Sequence, residues 1–364
     1  MIVRIRSINT LLYSLVVFCT TSGFSQPEEY FPLPARSGFE QLLSQVQAYQ
    51  QTITQSNASD FIIGGRRASE SEFPSVVALI DSEGKAYCTG TLITPSIVAT
   101  AAHCVFDLSQ QQSPVYKALL KQQAEWSKES FKREFAPFSR DYLSRLAKQG
   151  LHLRINGKNH FNIGSRVSVA SSWLSYSESV AKLTLFKRNE FSVSANDVSD
   201  RALIELKQPF SAIQIPALPT RQEVIAIHKG DYLTAVQVGF GLRKDPLTIK
   251  EEASSRKEYK ANLASMYDDK YMVELPINMV FQGSEGFRAG IGLPGKSACF
   301  GDSGGPTFVQ LKNKQWRFFA SLSRGVSSTA KCGESDQTIW PDSASEQIKQ
   351  TTEFVDVWLS ETQK

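Results

Sequence analysis

A serine flanked by glycines stands at Gly301-Asp302-Ser303-Gly304-Gly305, followed by Pro306. Such a residue can sit on a tight turn with its hydroxyl exposed, leaving neighbouring backbone N–H groups to point at a substrate oxygen. A free serine hydroxyl is a poor nucleophile at neutral pH. It needs a base within hydrogen-bond reach, and the base needs its tautomer fixed. Both partners occur upstream, His103 in Thr100-Ala101-Ala102-His103-Cys104 and Asp200 in Asp200-Arg201-Ala202-Leu203-Ile204. Base, orienting acid and nucleophile thus follow in the order His, Asp, Ser, the set required for acyl transfer through a covalent intermediate.

These segments resemble the trypsin/chymotrypsin-like serine peptidases, whose motifs read TAAHC, D-x-A-L and GDSGGP. A fixed string of six residues arises by chance on the order of once in 20⁶ positions, so the serine motif alone is specific. D-x-A-L is weak by itself and gains weight from its place between the other two. Ile62-Ile63-Gly64-Gly65 is similar to the new N-terminus of an activated peptidase of this family, and Val238-Gly239-Phe240-Gly241 to its V-G-W-G strand. The resemblance covers about residues 62–364.

It implies Ser303 as nucleophile, His103 as general base and then acid, and Asp200 as acceptor for the other imidazole N–H. The backbone N–H groups of Gly301 and Ser303 would form the oxyanion hole, and Ser323 would support Asp200. Ser297 would form the base of the specificity pocket, with Ser323 and Gly325 beside it. A neutral base of this kind favours aromatic or large apolar side chains before the scissile bond. Cleavage between Phe61 and Ile62 would free an ammonium group to pair with Asp302. Phe61 stands where most family zymogens carry Arg or Lys, so the mature enzyme would be able to cut its own precursor. Two departures stand out: Arg288 replaces a family cysteine, and Arg324 replaces a tryptophan on the wall that touches substrate. Arg154 to Trp173 contains no Asp or Glu, so the family's calcium loop is not expected, and no metal or organic cofactor is implied.

Of five cysteines, Cys19 lies in an apolar N-terminal run. The other four allow three pairings, from which the resemblance selects Cys88–Cys104 and Cys299–Cys332. Arg4 and Arg6, the apolar run Leu11 to Cys19, and the small residues of Gly23-Phe24-Ser25 read as an export signal over 1–25. No other segment is apolar enough to cross a membrane, which implies a secreted or periplasmic product without a stable span after signal cleavage. Residues 26–61 read as a pro-segment: a proline-rich opening, then Phe39, Leu42, Leu43, Val46, Tyr49 and Ile53 at helical spacing. The formal net charge of +4 is mild and indicates no nucleic-acid partner.

From Ile62 onward short strands dominate: Ser75–Ile80, Leu92–Thr100, Arg166–Ala170, Leu203–Leu206, Tyr232–Val238 and Phe318–Leu322, bounded by turn residues. This is an all-β pattern, and the resemblance implies two antiparallel six-stranded β-barrels with the site between them. Thr352–Leu359 reads as a C-terminal helix. His103 and Asp200 are 97 residues apart, roughly twice the family's need. The excess is placed at about 107–150, a helical insertion in the first barrel. Phe131, Phe135, Phe138, Tyr142 and Leu146 share one stripe there, with a helix break expected at Pro137. The insertion reads either as a surface elaboration or as a lid or exosite for a protein inhibitor or other partner. The function implied is a serine endopeptidase acting on protein or peptide substrates. The alternatives are a catalytically inactive homologue serving as a binding or regulatory protein, and an esterase using the same triad.

Overall fold

The computed structural model describes residues 62–122, 126–186, 199–244, 246–264, 269–283, 286–291, 296–325, 332 and 339–342. The expected export signal, pro-segment and C-terminal helix lie outside the described residues. The chain is mostly β-sheet. In order, it forms β1 (Arg66–Arg67), β2 (Val76–Ile80), β3 (Ala86–Thr94) and β4 (Ile97–Thr100). Two helices follow, α1 (Pro114–Gln122) and α2 (Lys128–Arg145), then β5 (His152–Ile155), β6 (Lys158–His160) and β7 (Gly164–Val169). Helix α3 (Ser171–Phe186) precedes β8 (Ala202–Leu206). The second half contains α4 (Arg221–His228), β9 (Thr234–Gly239), α5 (Pro246–Glu252), α6 (Arg256–Ala264), β10 (Tyr271–Glu274), β11 (Ile277–Gly283) and β12 (Gly286–Ile291). It ends with β13 (Pro306–Gln310), β14 (Trp316–Gly325) and β15 (Ile339–Asp342).

Two antiparallel sheets result, ordered β6-β5-β2-β3-β4-β8-β7 and β1-β10-β9-β13-β14-β15-β12-β11. Their packing follows from β2, whose five residues Val76-Val77-Ala78-Leu79-Ile80 are all buried. Alternate side chains of a strand point to opposite faces. Val77 and Leu79 therefore enter one core with Leu153, Val167 and Ile204. Val76, Ala78 and Ile80 enter a second core shared with Val236, Val238, Phe308 and Phe318 of the other sheet. The sheets are thus joined by apolar contact at the centre of the molecule. β1 crosses over, pairing Arg66 with Met272 of β10 before the chain enters the seven-stranded sheet. That crossover sets Ile62 among Tyr271, Ala298 and Leu322.

The single strand expected over Leu92–Thr100 is in fact two. Pro95 and Ser96 turn the chain, and Leu92 pairs with Val98 across the hairpin. Proline cannot donate to a ladder, so the turn falls there, but apolar residues on both sides mask it in the sequence. In the insertion, too, the helix break is displaced. It precedes Ser127, whose side chain accepts from the Ser130 N–H in a reciprocal cap, while Pro137 lies inside α2. A proline in a helix interior costs about 3 kcal/mol. Phe131, Phe135 and Phe138 are 0%, 3% and 3% exposed, and burial of such side chains stabilises by about 1.5–3 kcal/mol each. Tertiary packing therefore outweighs the local preference. Phe135 packs on Phe106, and Phe131 on Trp126.

Helix α3 was not expected. Phe186 from its end packs edge-on against Phe131, with ring centroids 5.6 Å apart, and Lys182 lies over the same ring. The extra length between His103 and Asp200 is therefore divided between two stretches that pack together. Among the described residues no helix is long and apolar enough to cross a membrane. Phe131→Ala is expected to destabilise the full chain by about 3–5 kcal/mol, measured by equilibrium denaturation, because it empties the contact point of α2 and α3.

Candidate active site

β4 ends at Thr100, and the chain turns through Ala101 into a single tight helical turn, Ala102–Cys104, that carries His103. The Cys88–Cys104 disulfide ties this turn to β3, with the two Cα atoms 6.1 Å apart. Asp200 precedes β8, and the β4–β8 ladder pairs Thr100 with Ala202. The pairing register thereby brings His103 and Asp200 together across 97 residues of chain. One Asp200 oxygen accepts from the His103 backbone N–H at 2.9 Å. The other lies 2.7 Å from His103 Nδ1 and accepts from Ser323 Oγ at 2.7 Å. Ser323 belongs to β14, so one carboxylate takes donors from the turn that follows the first sheet's β4 and from a strand of the second sheet.

Burial alone would raise the Asp200 pKa. Attraction to His103 and the hydrogen bonds from His103 and Ser323 outweigh that effect and hold it below its ordinary value of 3.8. An ionised carboxylate only accepts, so the proton it shares with the ring sits on Nδ1 and makes Nε2 the acceptor nitrogen. Trp173 of α3 lies near the ring, with centroids 6.4 Å apart and the planes tilted by 49°, and its Nε1–H is anchored on the Phe106 carbonyl at 2.7 Å. The sequence reading missed Trp173 because no motif marks it and α3 was not foreseen.

The Ser303 turn is built around two glycines in the left-handed region, Gly301 at φ 98° and Gly304 at φ 79°. A Cβ on Gly304 would lie 2.1 Å from Thr100 Oγ1 and 2.4 Å from the Thr89 carbonyl oxygen. Only glycine lets the turn rest on the strand that leads to His103. The Ser303 carbonyl accepts from the Thr89 N–H at 2.8 Å and lies 3.5 Å from Cys104 Sγ. Gly304 donates to the Leu322 carbonyl at 2.7 Å. Ser303 is thus fixed beside Cys104, next in sequence to His103. Among the described residues, neither the Gly301 nor the Ser303 N–H has a protein acceptor.

Ser297 is fully buried, its N–H donating to the Ile63 carbonyl at 3.1 Å and its Oγ to the Ala298 carbonyl at 3.0 Å. The Cys299–Cys332 disulfide is present, with Cα atoms 5.4 Å apart. Gly325 ends β14, two residues beyond Ser323. Phe300, not singled out by its sequence, is 56% exposed immediately before Gly301. Phe61 lies outside the described residues.

Asp302 is fully buried and accepts from the Gly241 and Cys299 N–H groups, each at 2.8 Å. A Cβ on Gly239 or Gly241 would lie 2.1 or 2.4 Å from this carboxyl group, which explains both glycines of Val238-Gly239-Phe240-Gly241. Burial dominates over these two hydrogen bonds and pushes the Asp302 pKa up to about 7. Cys88, His103 and Cys104 place their ligand atoms within 4.8 Å of one another, but both sulfurs are committed to the disulfide and supply no thiolate.

The trypsin family model matches residues 62–170. That stretch contains Cys88, His103 and Cys104 and ends before Asp200 and Ser303. The chain is similar to a trypsin from Saccharopolyspora erythraea, 46% identical over 43 residues, or 12% of this chain and 19% of that protein. It is also similar to the thrombin-like enzyme flavoxobin from Protobothrops flavoviridis, 48% identical over 48 residues, 13% of this chain and 18% of that protein. Azurocidin from Sus scrofa is 49% identical over 43 residues, 12% and 17% of the two chains. The matched stretch spans less than a fifth of the length of each of these curated relatives.

The raised pKa of Asp302 has a measurable consequence in the uncut chain. Below 3.8 the group is protonated in folded and unfolded states alike, and its contribution is fully present. Between 3.8 and about 7 the unfolded chain has released a proton that the folded chain retains, so stability falls as pH rises and the contribution is lost above about 7. Denaturant midpoints of an uncut Ser303→Ala chain should therefore drop across this window relative to the same chain carrying Asp302→Asn, in which that slope disappears.

Proposed function

We propose that this chain, whose residues 62–170 match the trypsin family, is a secreted serine endopeptidase made as a zymogen. The observation that carries the proposal is the buried Asp200 carboxylate, which holds His103 Nδ1 at 2.7 Å beside the glycine-bounded turn of Ser303. We read the two sheets, of seven and eight strands where six each were expected, as the counterparts of that fold's two barrels, with a further helix at the C-terminal end. Residues 1–25 act as the export signal and 26–61 as the pro-segment, and the two disulfides fit an oxidising compartment.

In this reading, Ser303 Oγ attacks the scissile carbonyl carbon as its proton passes to His103 Nε2. The carbonyl electron pair moves to oxygen, and the oxyanion accepts from the Gly301 and Ser303 N–H groups, each donor worth on the order of 3 kcal/mol. Collapse breaks the C–N bond, and the leaving amine takes the proton from His103. Water then attacks the acyl ester, gives its proton to His103, and Ser303 recovers it on release of the acid. Asp200 stays ionised throughout and stabilises the transient imidazolium.

Ser297 provides a neutral pocket base, and Phe300 adds an apolar surface at the rim, so an aromatic or large apolar residue is preferred before the bond. Phe61 suits that same pocket. Cleavage after it frees the Ile62 ammonium, and Ile62 already sits among Ala298, Tyr271 and Leu322. Pairing with Asp302 would supply the cation that this buried carboxylate needs in order to ionise at low cost. Substrates are proteins or peptides, and the mechanism uses only side-chain and backbone groups.

A fluorophosphonate probe is expected to label the processed chain once, at Ser303. Labelling should vanish in Ser303→Ala, and His103→Ala should lower peptide kcat by at least about 10³-fold. An unlabelled processed chain would mean a silent homologue, and turnover of esters without peptides would mean an esterase. Incubated alone, the purified precursor should acquire an Ile62 N-terminus while the Ser303→Ala precursor stays intact. Peptides with Phe or Tyr before the bond should be cut faster than those with Arg or Lys.

A further inference from the structure

A groove of about 1080 Å³ opens beside His103 and runs onto the helical insertion. One wall is Tyr87 with the Cys88–Cys104 disulfide; the other is α1 and the C-terminal end of α2. Its floor is largely apolar, with Val115 and Ala118 from α1 facing Tyr142 and Leu146. Burial in this setting pushes the Tyr142 phenol up to about 12, so it stays neutral. The groove is therefore a continuation of the reaction site, built from residues 80–152 alone.

The position of the groove says which part of a substrate it meets. Trp173 lies 6.4 Å from the His103 ring, centroid to centroid, and takes no part in the groove. Ser297 and Ser323, on the pocket side of the site, take no part either. The residue before the scissile bond belongs on that pocket side. The groove meets the reaction site at His103, the residue that must hand its proton to the departing amine. It therefore lies along the path of the residues that follow the bond.

Its rim has a sign. Lys117 and Lys121 stand one turn apart on α1, both exposed, and neither pairs with a carboxylate among the described residues. Arg145 adds a third cation, paired among the described residues with the exposed Asp141 on its own helix at 3.2 Å. Two carboxylates also line the groove, each held in place by donors of its own loop, and they offset part of the positive charge. Asp81 accepts from the Glu83 and Lys85 N–H groups, and Asp107 from the Ser109 N–H and hydroxyl. Lys121 stands in the last turn of α1, where a cation suits the helix C-terminus, but a like charge four residues before it weakens the helix slightly, so helix stability does not account for Lys117. An apolar floor below a lining of three cations and two carboxylates, net positive, complements a peptide that carries carboxylates among apolar residues.

We infer that this groove binds the segment of a substrate that follows the scissile bond and selects for Asp and Glu there. The inference rests on the peptidase reading of Ser303, His103 and Asp200, and deepens it by naming the substrate class. The test uses processed enzyme and peptides identical through a Phe before the bond, with either two Glu or two Lys within the four residues after it. The Glu peptide is expected to show kcat/KM higher by about tenfold at low salt, with the gap narrowing as salt screens the exposed charges. In Lys117→Ala/Lys121→Ala the ratio should fall towards one, and in Lys117→Glu/Lys121→Glu it should invert. The fluorophosphonate labelling rate of each form reports whether its reaction centre is assembled. A ratio near one in the unaltered enzyme, or one that charge reversal leaves unchanged in forms that still label, overturns the inference. Should no form label or cleave, the peptidase reading fails, and the groove is tested separately. Fluorescence anisotropy of the Glu peptide on the Ser303→Ala chain should then weaken about tenfold on charge reversal, and equal binding would overturn the inference.

Discussion

Everything in this molecule that bears on chemistry is organised around a buried carboxylate. Taking Asp200 out of water is expensive unless donors replace the lost hydration. Three do: the backbone and ring of His103, from the turn after β4, and the hydroxyl of Ser323, from β14 of the other sheet. The apolar core between the sheets sets their separation, and the carboxylate sets their fine alignment. Satisfying Asp200 and orienting the imidazole are the same act, so the fold cannot relax at this point without misdirecting the base.

The second organising constraint is closeness of backbones. Gly304 lets the serine turn touch Thr100 and Thr89, and Gly239 and Gly241 make room for the Asp302 carboxyl. Thr89 links these regions directly. Its hydroxyl donates to the Gly301 carbonyl at 2.9 Å and accepts from the Phe240 N–H at 3.0 Å. A chain of short polar contacts thus runs from the β3 strand through the serine turn to the loop around Asp302. Side chains larger than hydrogen at these glycines would force the segments apart by more than the contacts tolerate.

The legible parts of this structure were those in which the chemistry fixes both residue type and neighbour. The turn of Ser303 demands glycines at fixed offsets, and His103 needs its disulfide-bound turn, so both stand out as strings. The cysteine pairing implied by the family resemblance is the pairing found. Less legible were features decided by packing at a distance. Leu92–Thr100 looked continuous because burial of both β3 and β4 hides the hairpin at Pro95-Ser96. Pro137 looked like a helix end because local preference ignores Phe131, Phe135 and Phe138 in the core. Helix α3, Trp173 beside His103 and the groove along α1 carry no string of their own; they exist through contacts between segments far apart in the chain.

The groove also bears on timing. The junction that would release the mature N-terminus continues as Ile62-Ile63-Gly64-Gly65-Arg66-Arg67. That stretch offers the cationic rim no carboxylate, and its first charges are arginines, which the rim repels. An enzyme shaped in this way would treat its own precursor as one of its poorer substrates. Dormancy would then be a kinetic property written partly into α1, far in sequence from the junction it protects, and the lysines that favour other proteins would slow the enzyme's own awakening.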